Sequence, residues 1–233
     1  MSFTSMAELM NSRRSVRAFT SQPIPQATIK KILSVASSAP SGSNTQPWKV
    51  YVVTGTVRES IVEAVCKCYD ELVMHPDRAS AFQPGYDYYP NEWFSPYKER
   101  RRENGWGLYG LLGIQKGDKA KMIAQHKKNF TFFDAPVGIF LTMDRGLGTG
   151  SKMDIAMFIQ NILLAAKAAG LDTCAQAAWN EYQSIVLPLV GASEKEILIC
   201  TVAMGYADSN AQVNQFAPGR LAVEEFSTWL GFE

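Results

Sequence analysis

The sequence predicts an α+β protein in which helices surround a central mixed or antiparallel sheet. Three observations carry this expectation. The chain has 233 residues, 46% of them apolar, enough for one sizeable core. Two continuous apolar runs, V-G-I-F-L-T-M after Pro136 and I-L-I-C-T-V-A-M-G ending at Gly205, have the length and composition of buried strands. Helical patterns fall around them in mixed rather than strictly alternating order. No internal repeat, low-complexity tract or linker interrupts the chain, so residues 1–233 read as one domain.

In chain order, a first helix is expected over Met6 to Ser12. Pro23 and Pro25 break the chain. The segment from Gln26 carries Ile29, Leu33 and Ala36 at helical spacing, and Pro40 stops it. Lys49 to Thr54 is apolar and β-branched, which reads as a buried strand. Thr56 with Glu59 has the pattern of a capping box, placing a helix from there to about Met74. Residues 77–106 hold Tyr86, Tyr88, Tyr89, Trp93, Phe94, Tyr97 and Trp106 with no helical or strand period. So long an aromatic excursion fits a lid or substrate wall, or a surface that packs on a subunit partner. A helix is expected over Asp118 to Phe130. Another spans Asp154 to Ala169, apolar almost all round and stopped by Gly170. A short helix follows from Gln183 to Val190. Ser193 and Glu196 again match a capping box, but the β-like run behind them makes a strand the better reading. The tail ends in Phe226, Trp229, Leu230 and Phe232 and is expected to dock on the chain's own core or on another subunit.

Composition excludes several functions. The formal charge is +1, so no basic footprint for nucleic acid exists. No window has the apolar length of a membrane span, and Met1 to Asn11 lacks a signal-peptide core, which predicts a cytoplasmic protein. Cys66, Cys68, Cys174 and Cys200 do not form a disulfide framework. His75 and His126 have no partners at metal-ligand spacing, so no metal is expected. There is no G-x-G-x-x-G after the first strand, no phosphate loop, no H-E-x-x-H and no G-x-S-x-G.

What remains is a pair of polar segments. R-R-S-V-R-A-F at Arg13 to Phe19 offers guanidinium forks that match a phosphate, with Ser15 among them. A-P-S-G-S-N-T-Q-P-W, from Ala39 to Trp48, presents donors and acceptors just ahead of a strand. Read alone, the first also fits a solvated basic turn and the second an ordinary loop.

Together these two segments closely resemble the N-terminal signature of the FMN-dependent nitroreductase family, in its nitrobenzoate-reductase-like branch. The likeness continues in Y-Y-P-N-E-W-F-S-P-Y-K-E-R-R-R-E-N-G-W-G-L-Y, in Asn129 to Gly138, in G-L-D-T-C-A-Q-A-A-W at Gly170 to Trp179, and in M-G-Y-A-D at Met204 to Asp208. It covers nearly the whole chain. The resemblance implies a nitroreductase-like fold and an intertwined homodimer with FMN at each subunit interface. It implies that Arg13, Arg14, Ser15 and Arg17 hold the phosphate and ribityl chain, with Gly205 and Arg220 completing the phosphate side. Pro40, Ser41, Ser43, Asn44 and Gln46 would approach the flavin from the partner subunit. Ala175, Gln176, Ala177 and Ala178 would lie along the ring, with the Ala178 backbone near it; relatives often carry proline in place of Ala175. No catalytic side chain is expected, because a flavin carries its own redox chemistry.

The expected activity is ping-pong electron transfer from NAD(P)H through FMN to a small aromatic nitro acceptor. Tyr86, Trp93 and Tyr97 would wall the acceptor site, and Arg100 to Arg102 would attract an anionic acceptor or a nicotinamide phosphate. A quinone or activated-alkene reductase, or a flavin-binding protein without turnover, are the alternatives.

Overall fold

The computed structural model describes residues 3–232. At its centre lies a four-stranded, wholly antiparallel sheet of β1 (Lys49–Val53), β2 (Val137–Asp144), β3 (Asp172–Gln176) and β4 (Glu196–Gly205), in the order β1-β2-β4-β3. Among the described residues, eight α-helices surround it: α1 (Phe3–Ser12), α2 (Gln26–Ala36), α3 (Gly55–Met74), α4 (Tyr97–Leu111), α5 (Lys119–Lys127), α6 (Thr149–Ala168), α7 (Gln183–Leu189) and α8 (Val223–Phe226).

The apolar runs of β2 and β4 are continuous because both faces of the sheet are covered. On one face Ile139, Leu141 and Met143 meet α2 and α6 through Ile29, Ile32, Ile155, Phe158 and Ile162. On the other, Phe140 and Leu198 join Ile61, Val65, Phe130, Trp179 and Val186. A β-bulge sits between these strands: Leu141 pairs with Cys200 and Thr142 with Leu198, leaving Ile199 as the extra residue. The bulge shifts the alternation of β4, so Ile197 and Ile199 before it share a face with Val202 and Met204 after it. The Ile199 carbonyl instead accepts the Tyr86 hydroxyl at 2.7 Å and Asn180 Nδ2 at 3.0 Å.

Several sequence expectations are corrected. β1 is an edge strand rather than a buried one, and only Val53 in it is fully buried. α3 begins at Gly55, one residue ahead of Thr56. The N-cap is Thr54, whose hydroxyl donates to the Pro136 carbonyl rather than capping the helix. The expected helix to Phe130 ends at Lys127 and tightens into a 3-10 turn over Lys128–Asp134. α6 is buried along one side, while Ala156, Met157 and Gln160 stay exposed. α4 lies inside and beyond the segment read as aperiodic, and none of its residues is buried. The tail does not dock on the core of its own chain: Phe226, Trp229, Leu230 and Phe232 are all exposed.

Two glycines of the sheet, one in β2 and one in β4, are fixed by close approach. A Cβ on Gly138 would fall 2.4 Å from the Phe132 ring, and one on Gly205 would fall 2.9 Å from both Phe19 and Pro136. Among the described residues, no helix is long and apolar enough to cross a membrane.

Candidate active site

The segment Arg13 to Phe19 runs beside β3. Ser15 bridges Thr173, and the Val16 N–H donates to the Thr173 carbonyl at 3.0 Å. Further on, the Phe19 N–H donates to the Phe133 carbonyl, and Asn214 accepts the Arg17 N–H at 2.8 Å. This backbone tethering gathers Arg13, Ser15 and Arg17 around Cys174. Burial pushes the Cys174 thiol up to about 11, and Arg17, Ser15 and Arg13 each oppose that rise. One guanidinium N–H of Arg17 donates to the Ser15 carbonyl at 3.2 Å. Among the described residues, none of Arg13, Arg14 and Arg17 forms an ion pair with a carboxylate. Their charge is left for something else to neutralise. Arg14 is exposed, while the other two are half-buried.

A cavity of about 570 Å³ opens beside this cluster. It is lined by Arg17, by the stretch Ala175 to Ala178, by Asn129 and Phe133, and by a side made of three tyrosines, Tyr88, Tyr89 and Tyr109, with Leu108. The size lies in the range of small-molecule and cofactor sites. The stretch Ala175 to Ala178 changes conformation inside the cavity. β3 ends at Gln176, and a 3-10 turn starts at Ala178. The leading N–H groups of such a turn have no acceptor within it.

The 3-10 turn 128–134 is the hub that holds these pieces. The Asn129 carbonyl accepts both Gln176 Nε2 at 2.8 Å and the Trp179 indole N–H at 3.0 Å. Trp179 is fully buried and stacks on Phe132, with ring centroids 4.5 Å apart. Phe132, Phe133 and Asp134 all have left-handed backbone, with φ of 56°, 54° and 67°. Non-glycine residues persist there only when their surroundings impose it. Arg58 contributes: it donates to the Thr131 carbonyl at 2.8 Å and lies over the Phe132 ring.

The second polar segment lies elsewhere. Ser41, Ser43, Asn44 and Gln46 form a loop against α6, where the Gly42 N–H points at the Asp154 carboxylate. The Ser41 hydroxyl accepts the Gln46 N–H at 3.0 Å, and Trp48 stacks on Phe158 at 4.6 Å. Ser43, Asn44 and Gln46 are left-handed and exposed. Neither this loop nor the exposed Pro40 lines the cavity of its own chain. Arg220 is exposed and donates to the Pro218 and Gly219 carbonyls of its own loop, and Gly205 lies under Phe19.

Of the three aromatic residues expected at the acceptor, Tyr86 turns to the bulge of β4. Burial is the main reason its hydroxyl pKa rises to about 12. Tyr88 and Tyr89 line the cavity instead. Trp93 contacts Tyr89 at 5.4 Å between centroids and carries Arg101 on its face at 5.0 Å; Tyr97 carries Arg100 at 5.7 Å. Sequence reasoning left out Asp87, Tyr109, Gln125, His126, Asn129 and Glu181, which also line the cavity. Of these, Tyr109 and Asn129 carried a sequence signal, Tyr109 as the last residue of the Y-Y-P-N-E-W to G-L-Y motif and Asn129 as the first of N-F-x-F-F. His126 Nδ1 lies 3.2 Å from the Tyr69 hydroxyl, and partial burial lowers its pKa, a shift that Glu181 opposes.

Known proteins share this arrangement of chain and fold. A chloronitrobenzene nitroreductase of Comamonas testosteroni is 36% identical over 223 residues, covering 96% of each chain. A 4-nitrobenzoate reductase of Nocardioides sp. (strain LMS-CY) is 35% identical, covering 95% of this chain and 88% of that one. Among solved structures, the FMN and NADPH-dependent nitroreductase NfnB of Sphigopyxis sp. strain HMH superposes with a TM-score of 0.91 at 38% identity, covering 97% of this chain and 99% of that one. NfnB of Mycobacterium smegmatis, solved in complex with NADPH, gives 0.90 at 29% identity, with 98% and 100% covered. The Nitroreductase family model matches residues 10–206, which take in the Arg13 to Arg17 cluster, the loop on α6 and the whole cavity lining, and the chain belongs to that family.

Proposed function

We propose that the chain is an FMN-dependent nitroreductase that passes electrons from NAD(P)H to nitroaromatic acceptors, and that it works as a cytoplasmic homodimer. One observation carries the reading. A cofactor-sized cavity joins Arg17, from a cluster of arginines without acidic partners, to the backbone of Ala175 to Ala178 beneath a tyrosine side. The donor set fits FMN. Arg13, Ser15 and Arg17 suit its phosphate, and the N–H groups at the start of the 178–182 turn suit a ring that gains negative charge on reduction. NADPH is the reductant with which both solved relatives are described.

Bound there by Arg13, Ser15, Arg17 and the Ala175 to Ala178 backbone, FMN would supply the two-electron redox chemistry between a nicotinamide and a nitro group. The chain's own residues orient and protect. Arg17 and Arg13 fix the anionic end. The 128–134 turn holds Gln176 and Trp179 in place, so the Ala178 backbone stays aligned. Tyr88 and Tyr89, 56% and 61% exposed, form a wall that a planar acceptor can reach and stack on. Donor and acceptor need the same face, so they enter in turn, which gives ping-pong kinetics. The relatives' names favour nitro groups over quinones or alkenes as acceptors.

The dimer completes the site. The Ser41 to Gln46 loop, the unburied α4 and the exposed tail are three surfaces that one chain leaves uncovered. A partner's loop would reach the flavin, and the tails would wrap the opposite subunit. The expected result is a yellow protein that sediments as a dimer and releases about one FMN per chain on acid treatment. A colourless protein that takes up no FMN would sink the reading.

A further inference from the structure

Charge around the cavity is unevenly shared. Arg17 belongs to the cluster that suits a phosphate. Two carboxylates also line the cavity, one on the tyrosine side and one in the 178–182 turn. Asp87 sits in the tyrosine side, next to Tyr88. Glu181 lies three residues past Ala178, close enough to His126 to oppose its shift. Among the described residues, no lysine or arginine forms an ion pair with either.

Among the described residues that line the cavity, the one lysine or arginine is Arg17, which belongs to the phosphate cluster, and His126 is the neighbour on which Glu181 acts. Arg100 and Arg101 are stacked on Tyr97 and Trp93 and do not line the cavity, and neither does Arg102. The Ser41 to Gln46 loop, S-G-S-N-T-Q, contains no charged side chain, so a partner's copy of it would bring no cation. The other acceptor-side residues, Tyr88, Tyr89, Leu108 and Tyr109, are uncharged.

We infer that the acceptor site selects uncharged nitroaromatics over anionic ones, with Asp87 and Glu181 as the specificity-determining residues. The inference rests on the nitroreductase reading and goes further. The relatives act, by name, on both neutral chloronitrobenzene and anionic 4-nitrobenzoate, and the charge of this cavity chooses between those classes. It also reverses the expectation that Arg100 to Arg102 draw in an anion. The reductant does not conflict with it, because a reduced nicotinamide ring is neutral. Both carboxylates are exposed, so their effect is moderate and sensitive to salt.

The test compares 4-nitrobenzamide with 4-nitrobenzoate, alike in shape and different in charge, on the FMN-loaded enzyme. The wild type should favour the amide by about tenfold or more in kcat/KM at low salt. Asp87→Asn and Glu181→Gln should each narrow the ratio by about threefold, mainly through KM for the benzoate. Added salt should narrow the ratio in the wild type and leave the double variant unmoved, a readout that holds even if one variant folds poorly. A wild-type ratio near one, or a ratio that neither substitution nor salt changes, overturns the inference. Turnover of both compounds with the anion preferred removes it while leaving the nitroreductase reading standing. Failure of both compounds to reoxidise the reduced enzyme removes both.

Discussion

Replacing Arg17 by alanine should weaken FMN binding by roughly 10- to 150-fold, the equivalent of a charge-assisted contact of about 1.5–3 kcal/mol. The side chain lines the cavity, and no carboxylate among the described residues competes for it. The backbone is held separately: the Arg17 N–H donates to Asn214, and Val16 is tied to Thr173. Alanine therefore removes the guanidinium without releasing the segment. Lysine keeps the charge and loses the planar fork, so Arg17→Lys should fall between the two. Quenching of flavin fluorescence on titration of apoprotein measures the affinity. An unchanged dissociation constant would place the phosphate away from the Arg13 to Arg17 cluster.

The second large effect concerns the sheet. Glu196, 2% exposed, opens β4 and ties three strands together. It accepts Lys49 Nζ at 3.0 Å and the Tyr51 hydroxyl at 2.9 Å from β1, the Thr142 hydroxyl from β2, and the Ser193 N–H at 3.1 Å. Removing it leaves several donors without an acceptor. Glu196→Ala should cost about 3 kcal/mol, near the lower end for breaking a buried ionic network. In a chain of this size that lowers Tm by roughly 6–12 °C. Burial alone would raise the Glu196 pKa, but the bonds from Thr142, Lys49, Ser193 and Tyr51 outweigh it and hold the value below the ordinary 4.5. The unfolded chain therefore binds the proton more readily than the folded one. The contribution is complete above about pH 4.5 and is lost as pH falls through the lowered value. Glu196→Gln should flatten that acid limb, and an acid limb identical to wild type would contradict the account.

What the sequence revealed follows from where the physical signal resides. β2 and β4 were legible because burial on both faces demands continuous apolar residues. Their bulge was not, since Ile199 differs from its neighbours only in how it pairs. β3, D-T-C-A-Q, has no apolar pattern of its own; pairing with β4 makes it a strand. α4 carries Gly105, Gly107 and Gly110 and buries nothing, so neither propensity nor period marked it. In the site, Arg13, Ser15, Arg17 and Ala175 to Ala178 came from motifs, and the fold brings these segments together. Of the aromatic segment, Tyr88 and Tyr89 line the cavity, while the Tyr86 hydroxyl satisfies the bulge carbonyl. Asp87, His126 and Glu181 come from separate elements that meet only in the folded chain, and no local pattern announces them.

On the proposed function, electrons pass between a nicotinamide and a nitro group in this cavity. Anaerobic titration of the FMN-loaded protein tests it most directly, with visible absorbance followed through two additions. NADPH should bleach the flavin band at about one equivalent per FMN, and a nitroaromatic should then restore it without oxygen. A flavin that neither NADPH nor NADH reduces, or one that stays bleached in the presence of nitroaromatics, would contradict the account.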